Sequence, residues 1–255
     1  MHPRERVDEV LRLVAAGWNL SQVSRATGVP WSTVQRWRSG GPPRSAGLRD
    51  DPRPRRGASP LCPLCHGEPL DEAAYAYLLG LYLGDGYILE QRRTTMLSIV
   101  QDARYADLIR LAARTIERVR GEGTRVSLVR KVGCVEICAW WKHWPCLFPQ
   151  HGPGRKHERR IVLHDWQRRI VRSYPRQLVR GLLHSDGCRT TNRVGNGRYA
   201  YPRYLFVNTS PEILQVFRDA CDALGIRYRN SKPNTISVAR QPDVAALDRF
   251  VGPKS

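Results

Sequence analysis

Two apolar segments of this sequence end in the same unusual way, and the pair constrains the fold more than any other feature. They read YLLGLYLGDG and LVRGLLHSDG. When they are aligned, Gly80 falls on Gly181 and Asp85 falls on Asp186, 101 residues further along the chain. An internal repeat of this kind indicates two copies of one structural unit.

The sequence that follows each copy is also similar. A hairpin pattern, an amphipathic helix over 103–120, two strands around Gly133 and a short apolar helix in WWKHWPCLF follow the first copy. The second copy is followed by a hairpin pattern, a helix that begins near Pro211, two strands and a last helix in DVAALDRFVG. These patterns predict an α+β protein with two pseudo-symmetric αββαββα repeats, over 71–174 and 175–255, preceded by a small all-α domain.

Small residues explain how the two apolar helices can pack against each other. Gly80 and Gly84 lie four residues apart and therefore on one helix face, and Gly181 and Ser185 correspond to them. Glycine inside a helix costs about 1 kcal/mol relative to alanine, so close packing is a physical reason to keep it. We expect the two helices to cross closely and to end together.

Asp85 and Asp186 would then meet at one rim of the helix pair. Two carboxylates repel each other unless cations neutralise them, and hard oxygen ligands suit Mg²⁺. The alternative is that each Asp-Gly pair only closes a turn. A carboxylate at a helix C-terminus is opposed by the helix dipole, and here it occurs twice, so we interpret both aspartates as metal ligands.

The charge balance indicates a polyanionic partner. The 255 residues include 42 Lys and Arg against 23 Asp and Glu, a formal charge of +19. Nucleic acid is the usual partner of such a chain, although an arginine-rich proteome is the alternative explanation. No apolar run approaches the ~20 residues that span a bilayer, and the N-terminus has no signal core, so we expect a cytoplasmic protein without a membrane partner. Seven cysteines in that compartment should be reduced.

Residues 1–39 are predicted to form a helix-turn-helix domain. RERVDEVLRLVAAG has apolar residues at helical spacing, and NLSQVSRATGVPWSTVQRWRSG resembles a homeodomain-like or resolvase-like helix-turn-helix, with Gly28 in the turn. The recognition helix would run from about Trp31 to Arg38. The alternative is a generic three-helix interaction module. Its polar residues are candidates for phosphate or base contacts: Ser32, Thr33, Gln35, Arg36 and Arg38.

Residues 40–61 are rich in Pro, Gly and Arg and are predicted to be an extended linker. The CPLCHG segment follows, in a predicted turn over 62–70. Cys62 and Cys65 have the spacing of one half of a zinc site, but four ligands are needed and no second CxxC follows. His66 or one of Cys134, Cys138 and Cys146 would have to complete it through the fold. A simple turn without metal is the alternative.

Two helices that each end in small-Asp-Gly, at this spacing and with this downstream pattern, resemble the LAGLIDADG homing endonuclease family. The resemblance covers about residues 72–255. It implies a site-specific endonuclease that hydrolyses double-stranded DNA with Mg²⁺ held by Asp85 and Asp186, acting as a monomer with an internal pseudo-twofold axis. One departure is His184, which stands where the first copy has Leu83.

The resemblance also implies further site residues. A polar residue beyond the second strand of each half lies near the metal waters in this family, which implicates Gln101 and, more roughly, Thr209. A basic residue after the third helix is also typical, which implicates Lys156 and Lys254. The alternative for both lysines is a contact with DNA backbone or with solvent.

Arginines on the predicted strands and loops are expected to face DNA, mostly as phosphate contacts that position the duplex. Those of the two repeats are Arg92, Arg93, Arg130, Arg155, Arg189, Arg193, Arg203 and Arg229.

Two other functions are compatible with these patterns. The first is a DNA-binding transcriptional regulator on an inactive LAGLIDADG scaffold with a helix-turn-helix; in such regulators the acidic pair is usually degraded, whereas here both aspartates remain. The second is an RNA-splicing maturase, whose surface would bind structured RNA. The chain ends lack the terminal His-Asn of an intein, so we expect a freestanding protein.

Overall fold

The computed structural model describes residues 4–40, 61–121, 123–196 and 198–254. The chain divides into two compact units, Met1–Ala58 and Ser59–Ser255. Residues 41–60, which make up most of the predicted linker, lie outside the described residues.

The first unit contains three helices: α1 (Arg4–Ala15), α2 (Leu20–Thr27) and α3 (Trp31–Gly40). Apolar side chains at helical spacing form its core, because each helix buries one stripe. The fully buried members are Val7, Val10, Val23, Val29, Val34 and Trp37.

The turn between α2 and α3 is built by local hydrogen bonds. Asn19 caps α2: its side chain accepts from the Gln22 N–H, and the Gln22 side chain accepts from the Asn19 N–H. Gly28 ends α2 with φ at +67°, in the left-handed region that glycine enters without strain. Ser24 Oγ then donates to Val29 O at 2.8 Å, which closes the turn.

The second unit begins with a four-residue helix, α4 (Pro63–His66). The first repeat follows with the predicted order, and its elements are α5 (Glu72–Asp85), β1 (Gly86–Gln91), β2 (Thr94–Asp102), α6 (Ala106–Arg120), β3 (Val126–Arg130), β4 (Cys134–Trp140) and α7 (Trp144–Leu147).

A connecting helix, α8 (Asp165–Ser173), lies between the repeats. The second repeat has the same order as the first. Its elements are α9 (Pro175–Asp186), β5 (Gly187–Val194), β6 (Tyr199–Val207), α10 (Pro211–Ala223), β7 (Arg229–Lys232), β8 (Thr235–Val238) and α11 (Gln241–Val251).

The two repeats form equivalent antiparallel sheets. Their strand orders are β1-β2-β4-β3 and β5-β6-β8-β7. In each sheet the glycine that follows the motif helix starts the first strand, and it pairs with Ile99 in one sheet and Phe206 in the other. The α+β fold class with two αββαββα repeats and a small N-terminal helical domain is thereby confirmed.

The helix predicted in WWKHWPCLF is shorter than expected. Trp140 still belongs to β4, where it pairs with Met96, and the Trp141 N–H donates to Thr95 O at 2.9 Å. The backbone therefore stays extended, and only Trp144–Leu147 is helical, with Pro145 in its first turn. Within the described residues, no helix has the length and apolar character needed to cross a membrane.

Candidate active site

The helices α5 and α9 pack backbone against backbone at the centre of the second unit. A Cβ atom added at Gly80 would lie 2.6 Å from Leu178 O and 2.7 Å from Leu182 N. A Cβ at Gly181 would overlap Tyr77 O and lie 3.0 Å from the Gly80 Cα. No side chain fits in either place, so the two glycines permit the crossing that the sequence predicts.

The same close packing continues to the ends of both helices. A Cβ added at Gly84 would overlap the Ser185 side chain and lie 2.9 Å from Asp186 Oδ2. Asp85 is the last residue of α5, and Asp186 is the last residue of α9. The two carboxylates therefore lie at one rim of the helix pair.

Each aspartate accepts a hydrogen bond from a side-chain amide of its own sheet. Gln101 Nε2 donates to Asp85 Oδ2 at 3.2 Å, and Asn208 Nδ2 donates to Asp186 Oδ2 at 2.6 Å. Gln101 is 3% exposed, so its amide is fixed within the protein. These bonds use one oxygen of each carboxylate and orient the other.

Asn208, and not Thr209, is therefore the counterpart of Gln101. The strand register explains the correction. Gln101 lies two residues beyond the partner of Gly86, and Asn208 lies two residues beyond the partner of Gly187. Asn208 thus occupies the position equivalent to Gln101, just beyond the end of β6, and Thr209 lies one residue further along.

A lysine covers the C-terminus of each motif helix. Lys156 Nζ donates to the carbonyls of Tyr82, Leu83 and Gly84, at 2.5, 2.9 and 2.6 Å. Lys254 Nζ donates to Ser185 O at 3.0 Å and to Gly187 O at 2.5 Å. A cation at this end of a helix is favourable, and here it also offsets the carboxylate that the dipole opposes. Both ammonium groups thus lie close to the carboxylate rim.

The pKa values at this rim reflect burial and crowding of charge. Burial, followed by repulsion from Asp186, raises the pKa of Asp85 from 3.8 to about 6, although both lysines oppose the change. Burial also raises the pKa of Asp186. Burial lowers the pKa of Lys156 to about 8, against the attraction of the two aspartates, and lowers that of Lys254. The carboxylates are thus held in an environment that disfavours their charge.

His184, the departure in the second motif, connects α9 to its neighbours. Its Nδ1 lies 2.8 Å from the Tyr77 hydroxyl, and its Nε2 lies 2.8 Å from Val251 O. Because a carbonyl can only accept, Nε2 carries the proton and Nδ1 accepts from Tyr77. Burial lowers the pKa of His184 to about 4, which keeps the ring neutral. Sequence reasoning missed this positioning residue, and its only signal was a polar residue within an apolar motif.

A cleft of about 350 Å³ opens beside the carboxylate rim. Asp186, Lys156, Asn208 and Thr209 contribute to its walls, and so does Arg155, which was predicted to contact DNA. Asp186, Asn208 and Lys156 therefore meet a space that opens to the surface.

Most of the other arginines predicted to contact DNA are exposed. They lie in the β1–β2 turn, at the end of β3, near the end of β5 and at the start of β7: Arg92, Arg93, Arg130, Arg193 and Arg229. In the first unit, the recognition-helix residues lie on the outside of α3, with Thr33 half-buried and the others exposed: Ser32, Gln35, Arg36 and Arg38.

Two predicted DNA contacts have a different environment. Arg189 forms a two-pronged ion pair with Asp248, at 2.8 and 2.9 Å, and Asp248 also accepts from the Tyr204 hydroxyl. Arg203 is half-buried, and its Nε has no hydrogen-bond partner within the described chain. Arg189 therefore links β5 to α11 through an ion pair, while its side chain stays exposed.

The cysteine segment has partners that the sequence only partly indicated. Cys62 and Cys65 lie beside Cys146, one of the three cysteines that the sequence offers as a further zinc ligand. They also lie beside His143, which the sequence pattern does not indicate as a ligand. Cys134 and Cys138 lie outside the cluster. His66 is engaged elsewhere, because its Nδ1 accepts from the Cys62 N–H at 3.1 Å.

Comparisons with known proteins give matches for both units. Residues 4–41 match the family model of the homeodomain-like domain. One solved structure that aligns is I-DmoI in complex with DNA and Mn, at 15% identity over 71% of this chain and 98% of that chain, with a TM-score of 0.47. Another is the N-terminal LAGLIDADG domain of DUF199/WhiA, at 14% identity over 71% of this chain and 82% of that chain, with a TM-score of 0.46. The LAGLIDADG meganuclease I-AabMI bound to uncleaved DNA also aligns, at 10% identity over 69% of this chain and 82% of that chain, with a TM-score of 0.45. A search of curated protein sequences finds no match.

Proposed function

We propose that the second unit is a divalent-metal-dependent endonuclease of the LAGLIDADG homing type, which hydrolyses both strands of a specific duplex DNA. One observation carries the proposal: two partly buried carboxylates end two closely packed helices, in surroundings that raise the pKa of both. A fold has little to gain from such a pair unless a cation is bound between or beside them.

The donor set fits Mg²⁺. Asp85 and Asp186 supply hard oxygen ligands, and the amide of Gln101 or Asn208 occupies one oxygen of each and orients the other. When bound, the ion would lower the pKa of water and stabilise charge on the scissile phosphate.

The remaining groups of this chain act on the substrate electrostatically. Lys156 and Lys254 bring two ammonium groups to the rim, where a phosphate must approach two carboxylates. Their bonds to helix carbonyls fix each Nζ, so little reorganisation is needed when DNA binds. We propose Gln101, Lys156 and Lys254 as candidate catalytic residues beside the aspartates.

The symmetry of the site suits a double-strand cut. One set contains Asp85, Gln101 and Lys156, and its counterpart contains Asp186, Asn208 and Lys254. Each set would serve one strand, so that the chain acts as a monomer with a pseudo-twofold axis. The helix-turn-helix domain would add affinity for flanking DNA, because a tethered second module raises the effective concentration of the first.

A cleavage selection tests this proposal. The full chain is incubated with a randomised duplex library and Mg²⁺, and the cut molecules are sequenced. Asp85→Asn and Asp186→Asn should each abolish cleavage of the selected target. Asp219→Asn, which neutralises an exposed carboxylate on α10, is the matched control and should cut normally. Cleavage by both aspartate variants at the rate of the control would refute the assignment.

The second candidate is a transcriptional regulator, and the homeodomain-like match over residues 4–41 favours it. In that case the chain should bind a specific duplex tightly without Mg²⁺. Binding selected from the same library, with no nicking in the presence of Mg²⁺ or Mn²⁺, would support the regulator over the enzyme.

A further inference from the structure

Four potential metal ligands from two distant segments converge on one point of the second unit. The ligand atoms of Cys62, Cys65, His143 and Cys146 all lie within 4.8 Å of one another. Cys65 Sγ lies 3.5 Å from Cys146 Sγ, and each of these sulfurs lies 3.8 Å from His143 Nδ1. The cluster shares no residue with the site described above and has no part in the function proposed for it.

These separations are those of a tetrahedral zinc site. With Zn–S bonds of about 2.3 Å and a Zn–N bond of about 2.0–2.1 Å, neighbouring ligands of a tetrahedron lie about 3.6–3.8 Å apart. Three of the pairs are within a few tenths of an ångström of that spacing. The ligands would need only small shifts to surround an ion.

The two segments present their ligands in the same way. In α4, Cys62 is the N-cap and Cys65 is the third helical residue; in α7, His143 is the N-cap and Cys146 is the third. Each helix has four residues and a proline in its first turn, and neither N-cap side chain forms a capping hydrogen bond. An N-cap side chain and the third helical side chain lie next to each other, so each turn offers a pair of ligands.

Apolar packing does not account for the position of α4. Leu61 before the helix and Leu64 within it are 53% and 43% exposed, and no residue of α4 is buried. Cys62 alone is fully buried and belongs to the core. A segment with so little apolar contact needs another link to hold it against α7.

We propose that Cys62, Cys65, His143 and Cys146 bind one structural Zn²⁺. Three thiolates and an imidazole suit zinc rather than Mg²⁺, and four protein ligands complete a closed site without an open position for chemistry. The ion would hold α4, at the start of the second unit, against α7. It would thereby fix the point at which the chain enters that unit.

A disulfide is the competing arrangement, because two of the sulfurs are close enough to react. A bond between Cys65 and Cys146 would require an oxidant, and it would leave Cys62 and His143 without a role. In a cell that keeps thiols reduced, the metal is favoured.

Metal analysis of the full chain distinguishes these arrangements. The protein is purified under reducing conditions from cells supplied with zinc, and its metal content is measured by mass spectrometry. We expect one zinc per chain. Replacement of zinc by Co²⁺ should give thiolate charge-transfer bands and the intense visible bands of a tetrahedral site, a readout that needs no variant.

Two variants complete the test. Cys65→Ser removes an exposed ligand and should lose the stoichiometric zinc, whereas Cys134→Ser removes a thiol of the same unit outside the cluster and should retain it. Wild-type protein without zinc and without the cobalt bands would overturn the proposal. So would a Cys65–Cys146 disulfide in the peptide map of the purified protein, or full zinc content in Cys65→Ser.

Discussion

Replacing Asp85 with asparagine should make the metal-free protein more stable. The folded chain raises the pKa of this carboxyl from 3.8 to about 6, first by burial and then by repulsion from Asp186. The folded state therefore binds the proton more tightly than the unfolded state does. The contribution of Asp85 to the free energy of unfolding is most favourable below about pH 4 and is lost as the pH rises through 6.

The structure sets the size of this effect. Since a tenfold change in an equilibrium corresponds to about 1.4 kcal/mol, the ionised Asp85 costs at most about 3 kcal/mol at pH 7.5. The same two pKa values give about half of that cost at pH 5. Asparagine keeps the shape and carries no charge, so the variant should regain most of this free energy at pH 7.5 and about half as much at pH 5.

Urea denaturation of the full chain in the presence of a chelator measures both values. Asp219→Asn is the matched control, because its carboxylate is exposed and accepts a hydrogen bond from Gln215 one turn away; its effect should stay within about 0.5 kcal/mol at either pH. If Asp85→Asn is no more stable than wild type at pH 7.5, or if its gain is equal at pH 5, then the carboxylate pair is not held at an electrostatic cost. The argument for a bound cation would then fail.

Three further variants have definite expected outcomes. Gly80→Ala should lower the free energy of unfolding by about 1–3 kcal/mol in thermal or urea denaturation, because its methyl group meets the backbone of the facing helix; an unchanged value would contradict the crossing. Lys156→Met should lower the free energy of unfolding by a similar amount, because three carbonyls lose their donor. It should also raise the pKa of Asp85 further, measurable by carboxyl NMR, because a nearby positive charge is removed; a lower pKa would contradict this role. Arg36→Ala should weaken DNA binding and reduce the slope of log affinity against log salt by about 0.9, whereas Arg12→Ala on α1 should leave both unchanged; equal effects would reject α3 as the DNA-binding helix.

Local sequence was sufficient to predict the architecture of both units. The order of elements follows from hydrophobic periodicity and from Gly and Pro signals, which are properties of neighbouring residues. The packing of α5 against α9 could also be predicted from the sequence, because each helix places small residues on one face, which permits a close crossing. The connecting helix α8 was missed, since it joins the repeats and has no counterpart to reveal it.

The site required contacts between distant segments. The sequence pattern predicted Thr209 as the counterpart of Gln101, whereas Asn208 is the residue that contacts Asp186. One residue of strand register decides which side chain reaches that carboxylate. The lysines were selected by resemblance, but their bonds to the helix ends depend on how the segments after α7 and α11 fold back.

The motif aspartates and the cysteine pair were visible in the sequence because each is a short pattern. The cluster of four candidate zinc ligands was not visible, because His143 and Cys146 lie 78 and 81 residues from Cys65 along the chain. Residue types and spacing therefore identified the motif aspartates and the cysteine pair as candidate ligands. Tertiary packing alone decided which of them share one site, because partners that are distant in sequence leave no periodic signal.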